Sequence, residues 1–116
     1  MHKNAKGGRG EDLACAYLLK NNYKIIGRNV YFRASEIDII AKKNKALIFV
    51  EVKARSGSAF PAEAVTRTKR QKLFTAMHQY FAKHPAKNYQ LDVIAINFLD
   101  GGTTKLEHYE NVGMQD

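Results

Sequence analysis

The sequence predicts a single α/β domain in which a mixed β-sheet is flanked by helices. Residues 35–55 have the pattern of a β-hairpin, and a segment with helical periodicity separates them from a nearly continuous apolar run from Tyr89 to Phe98. Such a run is typical of a strand covered on both faces, as in a parallel pair. Hairpin strand, helix and strand therefore predict a right-handed crossover. A chain of 116 residues is long enough to bury one core, so we expect one domain over residues 1–116.

The first elements are a helix and a strand. Residues 1–8 are basic and rich in glycine, and we expect them to be flexible. Apolar residues then recur at helical spacing from Gly10 to about Asn21, where two asparagines supply a stop. The segment from Tyr23 to Arg33 is predicted to be the first strand, and Gly27 within it indicates a bulge or a close backbone approach.

The hairpin is predicted to consist of strands at about 35–42 and 46–54, joined by a tight polar turn around Asn44. If the loop is Asn44-Lys45, counting back along both strands places Asp38 opposite Glu51. Side chains alternate between the two faces of a strand. The polar face then carries Glu36, Asp38, Glu51 and Lys53, closed towards the turn by Ile40 against Phe49, and the core face carries Ile37, Ile39, Val50 and Val52.

The second half of the chain is predicted to add a helix and two strands. The helix covers Thr66 to Lys83, with Thr68 and Gln71 at the spacing of a capping box. An edge strand over Thr103 to Tyr109 follows the apolar strand, and we expect residues 110–116 to be flexible. A basic cluster crowds the N-terminal end of the helix, where either solvent or phosphate groups would be its partners. The cluster consists of Arg67, Lys69, Arg70 and Lys72.

The opposed carboxylates of Asp38 and Glu51 create an electrostatic problem, because like charges directly across a strand pair are destabilising. A hard divalent cation with oxygen ligands would remove the repulsion, and Mg²⁺ is typically held by one or two carboxylates together with a substrate phosphate. Lys53 lies on the same face, where it can contact a phosphate or a water molecule. The alternative is an ordinary solvated strand face on which Lys53 pairs with Glu36.

Several motifs together resemble a known nuclease signature. An Asp on one strand followed by Glu-x-Lys on the next, here Asp38, Glu51 and Lys53, resembles the PD-(D/E)XK nucleases. The wider pattern resembles the YraN-like family of uncharacterised bacterial proteins, relatives of the Holliday-junction resolvases. That pattern comprises Gly8-Arg9-Gly10-Glu11, Asn29, Glu36-Ile37-Asp38, Phe49 to Arg55, Lys69 and Asp92-Val93. The chain departs from it at Ser35, where the family commonly has Gly, and at Ile37, which replaces the Pro that names the motif.

The resemblance implies a restriction-endonuclease-like fold and a metal-dependent endonuclease that cleaves DNA, including branched DNA. Mg²⁺ or Mn²⁺ would be held by Asp38, Glu51 and the carbonyl group of Val52, with Lys53 as a further catalytic residue and Glu11 completing the site through a water molecule. Without the resemblance, Glu11 is explained by the favourable position of an acid in a first helical turn.

The resemblance also implies contacts with the nucleic-acid backbone. Arg9, Arg55 and Lys69 are the residues expected to make them. Related resolvases act as dimers, which makes a homodimer a further expectation, although the sequence shows no definite dimer surface. Asp92 is the lone acid in the apolar strand, and we expect a structural role opposite a basic side chain such as Arg55.

The composition favours a nucleic-acid partner. Nineteen Lys and Arg against eleven acids give a formal charge of +8 and a pI near 9.7, which is typical of a nucleic-acid binder. The single Cys15 excludes an intramolecular disulfide and, with no apolar run of membrane-spanning length, leads us to expect a cytoplasmic protein without a membrane partner. The alternatives are a nucleic-acid-binding module of the same fold that cleaves nothing, and a protein adaptor whose charge serves solubility.

Overall fold

The computed structural model of the protein describes residues 5–57 and 66–112, with side chains from Gly8 onwards. In chain order the helices and strands are α1 (Ala5–Lys20), β1 (Lys24–Tyr31), β2 (Glu36–Lys43), β3 (Ala46–Ser56), α2 (Arg67–Phe81), β4 (Asn88–Phe98) and β5 (Thr104–Tyr109), with a short 3₁₀ turn at Asp100–Gly102. The strands form one sheet in the order β1-β2-β3-β4-β5, in which β3 and β4 are parallel and the other neighbours are antiparallel. The predicted mixed α/β sheet with flanking helices is thereby confirmed.

The predicted register of the hairpin is confirmed from Lys43 opposite Ala46 to Ile39 opposite Val50. Beyond Ile39 the ladder between the two strands ends. There the carboxylate of Asp38 accepts a hydrogen bond from the backbone N–H of Val52 at 2.8 Å. Asp38 and Glu51 are therefore neighbours through their side chains and not a backbone-paired couple.

The sheet has a hydrophobic core on each face, because side chains alternate along its strands. Ile39 and Val50 pack with Ala14 and Leu18 of α1. The neighbouring residues of the same strands pack against α2 in a second cluster, which contains Ile40, Phe49, Leu73, Ala76, Met77 and Leu91. Ile37 also belongs to the second cluster, so its expected place beside Ile39 is wrong.

Helix α1 begins at Ala5 and not at Gly10, so Glu11 does not lie in its first turn. Gly10 is instead the point of closest approach to β3, since a Cβ atom added there would lie 2.8 Å from the Cβ of Ala54. Real Cβ atoms essentially never approach so closely. The glycine therefore serves helix–sheet packing, and no helix-dipole argument accounts for the position of Glu11.

Helix α2 is capped by Thr66, whose hydroxyl group accepts a hydrogen bond from the backbone N–H of Lys69 at 3.2 Å. The predicted capping box at Thr68 is wrong, because Thr68 already lies inside the helix. The cap matters for the site described below, since it fixes the turn that carries Lys69.

The remaining sequence predictions concern Gly27, β5 and the C-terminal segment. The register of β1 against β2 shifts between Ile25 and Gly27, which confirms the predicted bulge, and β5 is the predicted edge strand. Asn111 and Val112, expected to be flexible, donate backbone hydrogen bonds to the Asp92 side chain and to the Leu91 carbonyl group. No helix within the described residues is long and apolar enough to cross a membrane.

Candidate active site

A pair of buried carboxylates lies where β2 and β3 separate. Asp38 and Glu51 are each 5% exposed, and their side chains contact each other. The strands position both groups, since Glu51 follows the last paired residue of β3 and Asp38 precedes that of β2. The N–H of Val52 holds Asp38 in place. The structure therefore brings together the two acids that the hairpin register predicted to be neighbours.

The surroundings of Glu51 disfavour its charged form. Burial, and next the negative charge of Asp38, raise the pKa of the Glu51 carboxyl from 4.5 to about 7, although Lys69 and Lys53 act in the opposite direction. One of its oxygens, Oε1, is buried and accepts no hydrogen bond. A buried polar atom without a partner is expensive, so Glu51 is a group in need of a proton, a water molecule or a cation.

Two lysines surround the acidic pair. The Nζ atom of Lys53 lies 3.6 Å from Oε2 of Glu51, with the lysine side chain 31% exposed. Lys69 reaches the same region from α2, and its Nζ atom lies 3.4 Å from the hydroxyl group of Ser35. This contact has no signature in the local sequence, where Ser35 differs from the family pattern only by replacing a glycine. The site thus combines two carboxylates with two ammonium groups, one from β3 and one from α2.

The side chains of the site supply only some of the ligands that a hard cation needs. Within residues 5–57 and 66–112 there is no cluster of three or more His, Cys, Asp and Glu side chains able to hold a metal ion. A cation here would depend on Asp38, Glu51 and the main chain of Val52, leaving other positions to water or phosphate, as is usual for Mg²⁺. The partnerless Oε1 of Glu51 is the observation that makes the pair suitable for such an ion.

The remaining predicted site residues, Glu11, Arg9 and Arg55, differ in burial and in the contacts they make. Glu11 is 3% exposed, and its Oε1 atom lies 3.7 Å from Nη2 of Arg28. The guanidinium group of Arg9 lies over the ring of Phe98, 4.5 Å from its centroid. Arg55 is exposed near the end of β3. Their roles towards a metal ion or a nucleic acid stay predictions.

Asp92 is fully buried, as expected for a structural acid, but its basic partner is not Arg55. His108 of β5 contacts it at 2.7 Å, while Gln90 and the backbone N–H of Asn111 donate to its other oxygen at 2.8 and 2.9 Å. The expected partner was wrong because Asp92 pairs with Val50 in the parallel ladder, five positions before the level of Arg55. Asp92 therefore ties β4 to β5 and to the segment after it.

Comparisons with known proteins identify a family. The model of the uncharacterised protein family UPF0102 matches residues 10–96. A UPF0102 protein of Geobacter sulfurreducens is 40% identical over 114 residues, which cover 95% of this chain and 89% of that protein. A UPF0102 protein of Campylobacter lari is 41% identical over 91 residues, covering 78% and 81%, and one of Chloroherpeton thalassium is 42% identical over 96 residues, covering 79% and 74%. These similarities agree with the YraN-like pattern noted in the sequence.

Proposed function

The chain belongs to the uncharacterised protein family UPF0102, and we propose that it is a metal-dependent endonuclease that hydrolyses phosphodiester bonds in DNA. The observation that carries the proposal is the contact between two buried acids, Asp38 and Glu51, with the pKa of Glu51 raised to about 7 and two lysines beside it. An unfavourable charge arrangement of this kind is characteristic of functional sites.

Each side chain of the site has a role that follows from its surroundings. Asp38, Glu51 and the Val52 carbonyl group would hold Mg²⁺ or Mn²⁺, which when bound supplies charge neutralisation and a more acidic water molecule. Oε1 of Glu51 can accept a hydrogen bond from the attacking water, since it has no other donor. Lys53, whose ammonium group lies 3.6 Å from Glu51, would stabilise the negative charge that develops on the phosphate.

Three basic residues, Arg9, Arg55 and Lys69, would bind the nucleic-acid backbone. Lys69, held by the Thr66 cap and by Ser35, presents an ammonium group beside the acidic pair. Arg9 and Arg55 are exposed at the same end of the sheet and add two further positive charges. Contacts of this kind carry no direct base information, so we expect weak sequence specificity. A place for Glu11 in the site, through a water molecule, remains part of the proposal.

The substrate class favoured by the resemblance to the resolvases is branched DNA. Labelled linear, flapped and four-way DNA of equal length would be incubated with Mg²⁺ or Mn²⁺ and with wild-type protein, Glu51→Ala or Lys53→Ala. We expect cleavage by the wild type and at least a hundredfold slower cleavage by each variant. Glu110→Ala and Lys105→Ala are matched controls, because they remove the same residue types at exposed positions.

The possible outcomes separate the proposal from its competitors. Cleavage that survives both site substitutions would indicate a contaminant or another site. Binding that weakens log-linearly with salt, without cleavage of any substrate, would indicate a nucleic-acid-binding module of the same fold. The formal charge of +8 favours that module as the second candidate.

A further inference from the structure

A second basic site lies at the opposite end of the hairpin from the acidic pair. There a cavity of about 500 Å³, the tip cavity, is formed by the hairpin turn, the start of β1, the start of β4 and the chain that follows α2. The basic residues that line it are Lys24, Lys42, Lys45, Lys87 and His84. Local sequence patterns do not reveal this cluster, because its members come from three separate parts of the chain.

The lysines of the tip cavity repel one another. Lys24 of β1 is directly opposite Lys42 of β2 in the antiparallel ladder. Directly opposed like charges are destabilising in a β-sheet. The described residues that line the cavity include no Asp or Glu to compensate them. The arrangement is therefore suited to an anion that neutralises several lysines at once.

The floor of the tip cavity is apolar and aromatic, which indicates a ligand that carries apolar groups as well as negative charge. Tyr80 and His84 are stacked, with ring centroids 4.5 Å apart and an angle of 26° between the planes. Tyr80 is itself supported by the ring of Phe49, at 5.6 Å in an edge-to-face contact. Ile26 and Leu47 complete the apolar part of the lining. Flat apolar groups could stack or pack here while their charges meet the lysines.

The stacked pair also separates the tip cavity from a second one. This neighbouring cavity, of about 480 Å³, shares Tyr80 and His84 and is lined by two further cations, Arg33 and Lys83. The exposed ring of Tyr31, 54% accessible, lies on its β1 side. The two cavities thus present positive charge on both sides of an aromatic pair.

We propose that the two cavities form a binding site for a single-stranded polynucleotide. A positively charged groove that follows the backbone, with aromatic side chains against which bases stack, is the usual design of such sites. Inorganic phosphate would use the lysines but leave the aromatic pair and the apolar floor without a function. The tip cavity is distinct from the acidic pair, since Lys42 lies four residues along β2 from Asp38, or about 13 Å. The neighbouring cavity extends from it towards the acidic end of the hairpin, because Tyr31 is opposite Glu36 in the β1–β2 ladder. The proposed strand site does not depend on the proposed cleavage, and a protein that cuts nothing could still bind a strand here.

Fluorescence anisotropy with a labelled 20-nucleotide oligothymidylate, in EDTA to prevent cleavage, tests the proposal. The double variant Lys42→Ala/Lys87→Ala should weaken binding at least tenfold and reduce the slope of log affinity against log salt by roughly 1.4, as expected for two lost phosphate contacts on a single strand. The charge-matched control is Lys20→Ala/Lys105→Ala, which removes two exposed lysines outside the cavities and should change the affinity less than threefold.

The aromatic contribution is tested with His84→Ala, because His84 is exposed and its removal leaves Tyr80 in the core. The substitution should lower the affinity for oligothymidylate about fivefold or more. It should leave unchanged the affinity for an abasic strand of equal length. RNA and DNA strands can be compared in the same assay. Equal losses for normal and abasic strands would overturn the proposal in favour of a phosphate site. Equal affinities of the cavity and control double variants, or binding to anionic phosphatidylserine vesicles in place of oligonucleotides, would also overturn it.

Discussion

Replacing Glu51 by Gln should stabilise the metal-free protein at alkaline pH. Burial and Asp38 raise the pKa of Glu51 to about 7 in the folded state, against 4.5 ordinarily. At about 1.4 kcal/mol per pH unit, the difference corresponds to a contribution on the order of 3 kcal/mol. The folded protein binds this proton more tightly than the unfolded chain, so the free energy of unfolding of the wild type falls as pH rises between about 4.5 and 7. A neutral amide of the same shape avoids that loss.

Urea denaturation followed by circular dichroism, in EDTA at pH 4, 6 and 8, measures the effect. Glu51→Gln should match the wild type at pH 4 and exceed it by up to about 3 kcal/mol at pH 8. Glu110→Gln, which neutralises an exposed carboxylate, should show no comparable gap. Added Mn²⁺ should stabilise the wild type at pH 8 and leave Glu51→Gln nearly unaffected. A variant less stable than the wild type at pH 8, or a difference independent of pH, would refute the electrostatic reasoning.

The remaining predictions use the same urea assay. Gly10→Ala should lower the free energy of unfolding by about 1–3 kcal/mol, because the new methyl group meets a β3 side chain at 2.8 Å. Gly8→Ala, whose methyl group meets nothing within 4 Å, should raise the free energy of unfolding by up to about 1 kcal/mol. Equal effects of the two substitutions would contradict the packing argument. His108→Ala removes the basic partner of the fully buried Asp92 and should cost about 3 kcal/mol or more, whereas a loss below 1 kcal/mol would show that the pair is not structural. Lys42→Thr relieves the repulsion from the opposed lysine of β1 and should stabilise the sheet by about 0.2–1 kcal/mol, so a destabilised variant would count against that repulsion.

The sequence predicted the register of the hairpin from its turn to Ile39 opposite Val50, because a two-residue loop and a period of two leave a single register. The proximity of the two acids followed from that register, whereas the raised pKa of Glu51 depends first on its burial and only then on the charge of Asp38. The end of the ladder at Ile39 could not, since it depends on the Asp38 carboxylate accepting the N–H of Val52. A hydrogen bond between a side chain and the backbone of another strand cannot be predicted from the alternation of polar and apolar residues.

Other features required tertiary contacts that local patterns do not contain. The start of α1 was misplaced because glycine is normally a poor helix former, whereas Gly10 is there for its close approach to Ala54. The partner of Asp92 was misassigned because His108 arrives through the pairing of β4 with β5. For the same reason the tip cavity was not predicted: its opposed pair, Lys24 and Lys42, comes together only through the pairing of β1 with β2.

Like charges repel each other at both ends of β2, negative at one end and positive at the other, and on the proposed functions this would impose an order on ligand binding. Asp38 and Glu51 repel each other at one end, while Lys24 and Lys42 repel each other at the other. A polyanion relieves only the basic end and is repelled by the acidic end, so on the proposed function a phosphate can reach Glu51 closely only when a cation is present. On the inference proposed above, the tip cavity would need no cation to hold a strand. A polynucleotide could therefore be retained at the tip cavity before any contact at the acidic pair, which separates binding from chemistry along one strand of the sheet.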